Sequence, residues 1–333
     1  MYILLFDGKN NLKKEKNYMC TAIKHHSFVG RNLDVYQTYS EEIIITPRDY
    51  CIALRKAENL TQHYAIIGMG TVARGYPLYF DAANEHGLYM AGLNYVGNAR
   101  YHAPKEGYLN LAPYELIPYI LAKCRTADEA ERELKKINLT AIPFSRELQP
   151  AQLHWMIADK EHILTAEPDE NGVNIYDNPV GVLSNNPSFP LQLFNLNNYA
   201  HLKSNAPINT FLPNIELRGY SEGMGAMGLA GDLSSQSRFV RAVFHNANAR
   251  GVDNAASFFH LLASVEMPDG SVKVNESYER TEYSSAVDLA TLTYYYRAYQ
   301  STGLCAMRLF AENLDTSPLI RYPIVCVPPT YQN

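Results

Sequence analysis

Strand-forming sequence begins in the stretch Met19-Cys-Thr-Ala-Ile-Lys-His-His-Ser-Phe-Val-Gly-Arg-Asn-Leu-Asp34, and the fold class follows from it. The segment before it, residues 9–17, is polar, charged and without hydrophobic periodicity. From Thr21 onward, aliphatic, β-branched and aromatic residues recur in short runs between turn residues, and residues 27–34 form the first predicted strand. Cys20, whose thiol is chemically versatile, therefore stands at the join between a polar leader and the folded region.

The chain beyond this stretch alternates between blocks of strands and pairs of helices. Helices are predicted at residues 114–124, 126–137, 237–249 and 254–265, the second opening at the capping box Thr126-Ala-Asp-Glu129. Strands are predicted at residues 27–34, 42–46, 63–68, 78–80, 87–94, 152–158, 163–166, 172–176, 181–183, 278–284, 290–299 and 305–311. Because strands do not alternate singly with helices, a doubly wound parallel sheet is disfavoured. We predict an α+β fold in which two largely antiparallel sheets pack together and are covered by helices.

Composition excludes several classes of protein. The chain has 333 residues, 47% of them hydrophobic, and a formal net charge of −5, which argues against a nucleic-acid partner. No apolar run approaches the roughly 18–20 residues that span a bilayer, and the opening apolar segment is too short for a signal sequence. The five cysteines contain no C-x-x-C pair and the histidines have no metal-ligand spacing, so neither a disulfide framework nor a metal site is indicated. We expect a soluble, cytoplasmic protein without a membrane partner.

A glycine-rich hexapeptide, Gly223-Met-Gly-Ala-Met-Gly228, matches the dinucleotide fingerprint letter for letter. That fingerprint requires a preceding strand and a helix that opens at its third glycine. Residues 218–222 have no strand character and residues 229–236 read as a turn. The motif therefore predicts a loop ahead of a helix, and no nicotinamide cofactor.

Cys20 directly follows Met19, and this position gives it a special chemistry. If translation begins at Met19 and the methionine is removed, or if a propeptide is cleaved there, Cys20 acquires a free α-amine. A thiol titrates near 8.5 and an α-amine near 7.7–8.0, so the amine can accept the thiol proton around neutral pH. We therefore expect residues 1–19, as a leader or an over-extended start, to be absent from the mature enzyme, and residues 20–333 to form a single domain.

Several separated motifs occur along the chain: Met19-Cys-Thr-Ala-Ile23, Phe28-Val-Gly-Arg-Asn-Leu-Asp34, Ile45-Thr-Pro-Arg48, Asn84-Glu-His-Gly-Leu88, Ala91-Gly-Leu-Asn94, Leu153-His-Trp-Met-Ile-Ala-Asp159, Gly181-Val-Leu-Ser-Asn-Asn-Pro187, Gly231-Asp-Leu-Ser-Ser-Gln-Ser-Arg-Phe-Val-Arg241, Tyr283-Ser-Ser285 and Tyr294-Tyr-Tyr-Arg297. These motifs resemble the choloylglycine hydrolases, the bile salt hydrolases and penicillin V acylases of the N-terminal-nucleophile superfamily. They occur in the family's order and cover essentially the chain from Cys20 onward. The resemblance implies an αββα four-layer fold, hydrolysis of a linear amide without metal or organic cofactor, and a homotetramer.

Matching the motifs residue by residue implies six site residues. Cys20 is the nucleophile that forms a thioester, Arg31 favours its thiolate, and Asp34 holds its α-amine. Asn185 supplies a side-chain donor and Asn94 a backbone N–H to the oxyanion hole, and Arg238 lies near the nucleophile. Without the resemblance, these residues have plainer interpretations: a buried small thiol, a salt bridge on a surface strand, two turn asparagines and a charge on a helix surface.

The resemblance leaves the substrate open between two classes. Penicillin V acylases tend to carry Tyr where this chain has Asn94, which favours a glycine- or taurine-conjugated bile acid. Tyr36, Tyr39, Tyr95 and Tyr101 are candidates to line an apolar cleft for it. Penicillin V or an N-acyl-homoserine lactone is the first alternative substrate, and a catalytically silent homologue that binds bile salts is the second. Two departures from the family are a short hairpin, with ten residues between Cys20 and Arg31, and Ala230 in place of a common proline.

Overall fold

The computed structural model describes residues 19–330, so the prediction of a leader or an over-extended start falls almost entirely on residues 1–18, which lie outside this part of the chain. Its strands are β1 (Met19–His25), β2 (Phe28–Val35), β3 (Glu42–Thr46), β4 (Ile66–Ala73), β5 (Tyr76–Asn84), β6 (Tyr89–Asn94), β7 (Leu109–Leu111), β8 (Ile137–Leu139), β9 (Leu153–Ala158), β10 (Ile163–Asp169), β11 (Gly172–Asp177), β12 (Val182–Leu183), β13 (Val272–Val274), β14 (Ser277–Asp288), β15 (Thr293–Ala298), β16 (Cys305–Arg308) and β17 (Ile320–Pro323). The α-helices are α1 (Pro113–Lys123), α2 (Ala127–Leu134), α3 (Phe189–Asn195), α4 (Ser235–Asn248) and α5 (Ala255–Ala263).

Two antiparallel sheets face each other at the centre of the molecule. The first sheet has the order β12-β1-β2-β14-β15-β16, with β13 paired to β14. The second has the order β11-β10-β9-β6-β5-β4-β3-β17. Strands β1 and β2 contact β6 across the gap between the sheets, and one hydrophobic cluster contains residues of both.

Helices cover the outer faces of both sheets. Helix α1 packs on β4, β5 and β6, and α2 on β9 and β10, so both lie on the second sheet. Helices α4 and α5 pack on β1, and α5 also packs on β2 and β14 of the first sheet. The layers therefore follow the sequence helix, sheet, sheet, helix, which confirms the predicted four-layer α+β fold.

The close approach of β2 to β14 depends on Gly30. A Cβ built on Gly30 would lie 1.9 Å from the carbonyl oxygen of Ser285, so any larger residue would force the two strands apart. Gly30 pairs with Ala286, and Arg31, the next residue, pairs with Ser285. The glycine of the Gly-Arg-Asn-Leu-Asp motif thus fixes the position of the arginine that follows it.

Some predicted boundaries are wrong. The helix that opens at Thr126 ends at Leu134 rather than near Ile137, because residues 137–139 form β8 and pair in parallel with β7. The Thr126 side chain accepts from the Glu129 N–H, so the predicted cap is confirmed while the helix end is set by tertiary pairing. The strand predicted over residues 27–34 corresponds to β2, whereas β1, which contains Cys20, is an additional strand that begins at Met19.

The glycine-rich hexapeptide forms a short 3-10 turn at Met224–Ala226 within an irregular segment, preceded by no strand. Across residues 19–330, no helix has both the length and the apolar character needed to cross a membrane.

Candidate active site

The two faces of β1 place different groups around Cys20. Cys20 pairs with Leu33 and Ala22 pairs with Arg31, so these side chains share the face of β1 and β2 that is turned toward the second sheet. Thr21 and its neighbours on β2, Asn32 and Asp34, point the other way, toward the helices. We call these the sheet face and the helix face of β1.

On the sheet face, Arg31 contacts the thiol directly. Its Nη2 lies 2.6 Å from Cys20 Sγ, and its Nη1 donates to the carbonyl oxygens of Phe80 at 3.2 Å and Gly92 at 2.6 Å. Arg31 and Cys20 are completely buried. The second sheet therefore holds the guanidinium against the sulfur through backbone acceptors, which bring no negative charge of their own.

A buried carboxylate, Asp81 on β5, supplies the negative charge near Arg31. Asp81 accepts from the Tyr283 hydroxyl at 2.9 Å, the Ser285 hydroxyl at 3.0 Å and the Tyr294 hydroxyl at 2.7 Å. Burial raises the pKa of Asp81, and the charge of Arg31 lowers it. Sequence analysis missed this residue, because nothing in Leu78-Tyr-Phe-Asp81 distinguishes it from a strand-end acid.

On the helix face, Arg238 binds three groups around the nucleophile. Its Nη1 donates to the Cys20 carbonyl oxygen at 2.7 Å and also to the Thr21 hydroxyl, and its Nη2 donates to Asn185 Oδ1 at 2.7 Å. Arg238 Nη1 lies 3.9 Å from Asp34 Oδ2. Arg238 is fully buried, so the interpretation of this residue as a helix-surface charge is wrong.

The first turn of α4 brings Arg238 to this position. Ser234 is the N-cap and accepts from the Ser237 N–H at 3.4 Å, while Asp232 accepts from the Ser237 hydroxyl. Hydrogen bonds from Ser234 and Ser237 lower the pKa of Asp232 to about 2. The Asp-Leu-Ser-Ser-Gln-Ser-Arg sequence thus starts a helix whose fourth residue, Arg238, points inward.

Asp34 lies three residues beyond Arg31 on one strand, and this odd spacing puts it on the opposite face. Its Oδ1 accepts from the Thr281 hydroxyl at 2.6 Å, while Oδ2 accepts no hydrogen bond from any described residue. Burial raises the pKa of Asp34 to about 6, against the opposing charge of Arg238. The interpretation of Arg31 and Asp34 as a surface salt bridge is wrong, since both are fully buried and they contact different partners.

Asn185 joins the nucleophile to the strand that carries Asn94. Its Oδ1 accepts from the Cys20 backbone N–H at 2.9 Å, and its Nδ2 donates to the Asn94 carbonyl oxygen at 2.8 Å. Its own N–H donates to the Ser235 hydroxyl at 2.9 Å. In this chain Asn185, rather than Asp34, is the residue hydrogen-bonded to the nitrogen that would become the α-amine.

The thiol of Cys20 is surrounded by donors and by low-dielectric protein. Burial, aided by the charge of the Asp34 carboxylate, raises the pKa of the thiol above its ordinary value, and Arg31 with the backbone N–H groups of Asp34 and Asn94 opposes part of this rise. The Asn94 N–H is thus turned toward the sulfur. Cys20 and the other five residues predicted from the sequence lie together here, and they come from five different strands and helices or the segments that adjoin them.

Of the four tyrosines predicted to line a substrate cleft, two make internal contacts. Tyr101 donates to the Ala151 carbonyl oxygen at 2.7 Å, and Tyr95 stacks on the His154 ring. Tyr39 is buried and Tyr36 is half-buried. Tyr95 and Tyr101 are therefore engaged in internal packing within the part of the chain that the structure describes.

Comparisons with known proteins identify the family of the chain. The family model described as linear amide C-N hydrolases, choloylglycine hydrolase family, matches residues 19–322. The bile salt hydrolase/transferase of Lactiplantibacillus plantarum is 46% identical over 314 residues, covering 92% of this chain and 97% of that protein. The conjugated bile acid hydrolase of Lactobacillus gasseri is 36% identical over 317 residues, covering 91% of this chain and all of that protein, 100%.

Solved structures show the same architecture. A variant of the conjugated bile acid hydrolase from Clostridium perfringens has a TM-score of 0.88 at 31% identity, covering 95% of this chain and 100% of that one. Penicillin V acylase from Agrobacterium tumefaciens has a TM-score of 0.71 at 18% identity, covering 92% of this chain and 90% of that one. The second similarity is one of fold alone.

Proposed function

The chain belongs to the choloylglycine hydrolase family of linear amide C-N hydrolases, and on that premise we propose that it hydrolyses the amide bond of glycine- or taurine-conjugated bile acids. The products are the free bile acid and the amino acid. Identity of 46% to a bile salt hydrolase/transferase over most of both chains supports this substrate class. The single observation that supports the chemistry is the buried Cys20 thiol with Arg31 at 2.6 Å.

In the proposed mechanism, Cys20 Sγ attacks the carbonyl carbon of the substrate amide. The thiol proton passes to the α-amine of a processed Cys20 and then to the leaving nitrogen, so the C–N bond breaks and a thioester remains. Water then attacks the thioester, releases the carboxylic acid and regenerates the thiol. The oxyanion of each tetrahedral intermediate accepts from Asn185 Nδ2, which has a second N–H besides the one given to Asn94, and from the Asn94 N–H.

Removal of residues 1–19 is part of the proposal, because an uncleaved chain has no α-amine at Cys20. A free ammonium at this nitrogen has more protons to donate than a peptide N–H. Asn185 Oδ1, at 2.9 Å, and the buried Asp34 Oδ2, which lacks a hydrogen bond from the described residues, are suitable acceptors. Residues 20–333 then form the mature domain.

The test is amine release from glycocholate, taurocholate and penicillin V by protein expressed from Met19. We expect a clear preference for a conjugated bile acid, and a rate below about 10⁻³ of the unmodified value in Cys20→Ser. Cys124→Ser, which changes another buried thiol, is the matched control and should keep full activity. Preference for penicillin V would overturn the substrate class, and undiminished activity of Cys20→Ser would overturn the nucleophile. A folded, processed but inactive protein would indicate a silent binding homologue.

We further propose a homotetramer assembled through the segment of residues 200–228. This segment exposes large apolar side chains, with Ile208 77%, Phe211 82% and Tyr220 85% exposed. Exposed apolar side chains in this density favour a protein–protein contact, and a second copy of the chain is the occupant we propose. Sedimentation equilibrium of the unmodified protein should give the mass of four chains. The Ile208→Ser, Phe211→Ser double variant should give a lower mass. A monomeric mass for the unmodified protein would overturn the proposed assembly.

A further inference from the structure

A buried polar cluster lies next to the chain segments that carry Asn185 and Asn94, and the mechanism above does not use it. Its members, here called the Glu167 cluster, are Tyr95, His154 and Glu167. The Nδ1 of His154 lies 3.0 Å from Glu167 Oε1, and its Nε2 lies 2.9 Å from the Ser184 carbonyl oxygen. His154 and Glu167 are almost completely buried, so water cannot substitute for these contacts.

The hydrogen-bond partners of Glu167 and His154 are mostly fixed donors or fixed acceptors. Glu167 accepts from the Phe189 N–H at 3.0 and 3.1 Å and from the Tyr95 hydroxyl at 3.3 Å, a pattern suited to an ionised carboxylate. His154 then faces a carboxylate on one ring nitrogen and a backbone carbonyl on the other. With Glu167 ionised, both neighbours of the ring only accept, and this arrangement favours a proton on each ring nitrogen and a buried ion pair between His154 and Glu167.

This ion pair is connected to both proposed oxyanion donors. The carbonyl that His154 holds belongs to Ser184, the residue before Asn185. The Tyr95 ring, which follows Asn94, stacks on the His154 ring with centroids 4.4 Å apart and an interplanar angle of 4°. The cluster therefore fixes the two chain segments that must stay in register for one oxygen to receive both donors.

Glu167 also fixes the start of α3. The Phe189 N–H that it accepts is the first of that helix, and Gln192, one turn later, donates to the Asn185 carbonyl oxygen at 3.2 Å. Asn185 is thus held from three sides: by Arg238 at its side chain, by Ser184 through His154, and by Gln192 through the helix.

We propose that Glu167 and His154 are positioning residues for the oxyanion hole, acting through Ser184 and Tyr95 without touching the substrate. The proposal rests on the function proposed above, because it assumes that Asn185 and Asn94 stabilise the oxyanion. If the ion pair is lost, Ser184 and Asn185 can shift. Such a displacement weakens the stabilisation of the transition state more than it weakens substrate binding.

The decisive variant is Glu167→Gln, which keeps the shape and one acceptor but removes the negative charge. We expect kcat to fall by about 10–100-fold, as for other residues that orient a catalytic group, while KM changes less than about twofold. In ¹⁵N NMR, the unmodified protein should show both His154 ring nitrogens protonated, and Glu167→Gln should show one of them deprotonated.

The matched control is Glu115→Gln. Glu115 is a fully buried carboxylate that accepts two backbone N–H groups, from Arg55 at 2.6 Å and Ala112 at 2.7 Å, in the cap of α1. The Glu115→Gln variant should lower the melting temperature as much as Glu167→Gln does, but it should leave kcat unchanged. Equal kcat in the two variants would overturn the proposal, because the role of Glu167 would then be structural only.

A milder variant covers the case in which Glu167→Gln does not fold. Tyr95→Phe removes only the hydroxyl given to Glu167 and keeps the stacked ring, so kcat should fall by a few-fold with KM unchanged; an unchanged kcat would overturn the proposal. Failure of the proposed function is recognised separately, since Cys20→Ser would then remain active or no amide would be hydrolysed. Even then, a singly protonated His154 ring in the unmodified protein would overturn the ion pair.

Discussion

Arg31 and Arg238 are two fully buried arginines beside one cysteine, yet their surroundings differ. Burial lowers the pKa of Arg238 below its ordinary value, although Asp34 and Cys20 oppose this. Burial also disfavours the charge of Arg31, but the Cys20 thiol, Tyr283 and Asp81 outweigh it and raise the pKa. The sheet face is therefore arranged to keep a cation beside the sulfur, whereas the helix face holds its cation at an electrostatic cost.

The difference indicates separate tasks for the two faces. Arg31 contacts the sulfur, and its other contacts are neutral carbonyls, so its effect on the reaction is electrostatic. Arg238 contacts the Cys20 carbonyl oxygen and Asn185 Oδ1, so its effect is to hold the backbone and the oxyanion donor in place. The same residue type thus tunes the nucleophile on one side and orients its neighbours on the other.

The largest effects are expected from substituting the two arginines, and the pH dependence of Cys20 alkylation distinguishes their roles. Arg31→Met should raise the thiol pKa and move the midpoint of Cys20 alkylation by iodoacetamide upward by about one pH unit or more, because a contacting opposite charge is lost. Arg238→Met should leave that midpoint nearly unchanged. Both variants should lose about 10²-fold or more in kcat, the first through the nucleophile and the second through the oxyanion donor.

Mass spectrometry of the peptide that contains Cys20 is the measurement, since Cys51 and Cys326 are exposed and also react. Thermal melts of both variants show whether the fold is retained. If Arg238→Met moves the midpoint as far as Arg31→Met does, the two arginines act alike and the division between the faces is refuted.

A smaller effect concerns stability on the helix face. Burial and the charge of Asp34 raise the pKa of Glu279 to about 8, and burial raises that of Asp34 to about 6. The folded state therefore retains protons that the unfolded chain releases at lower pH. The free energy of unfolding should fall as the pH rises from about 4 to about 8 and then level off.

Urea denaturation at several pH values tests this prediction, with Glu279→Gln as the comparison. The substituted side chain cannot ionise, so only Asp34 lowers the free energy of unfolding in this variant, and the decline should end near pH 6. The variant should therefore be more stable than the unmodified protein at pH 8. A free energy of unfolding that rises between pH 6 and 8 in the unmodified chain would contradict the raised pKa values.

The sequence supported part of the site well. The Gly-Arg-Asn-Leu-Asp motif identified Arg31 and Asp34 through the family resemblance, and the change from polar to strand-forming sequence placed Cys20 at the start of the folded region. Asp81 could not be found in this way, because its partners Tyr283 and Tyr294 lie about 200 residues away in sequence. Glu167 and His154 were missed because they meet only when β9 pairs with β10, 13 residues apart in sequence, although His154 lies inside a motif that the family resemblance quoted.

Sequence alone was enough for most of the strands and helices, the family, and Cys20 with the five residues predicted around it, because these depend on local periodicity and on motifs that are contiguous in the chain. The tertiary structure decided which face of β1 each residue occupies and which distant groups balance its charge. Those properties follow from strand pairing and from packing between sheets. Because the residues are buried, each property changes pKa values and stability, and these changes cannot be predicted from a local segment of sequence.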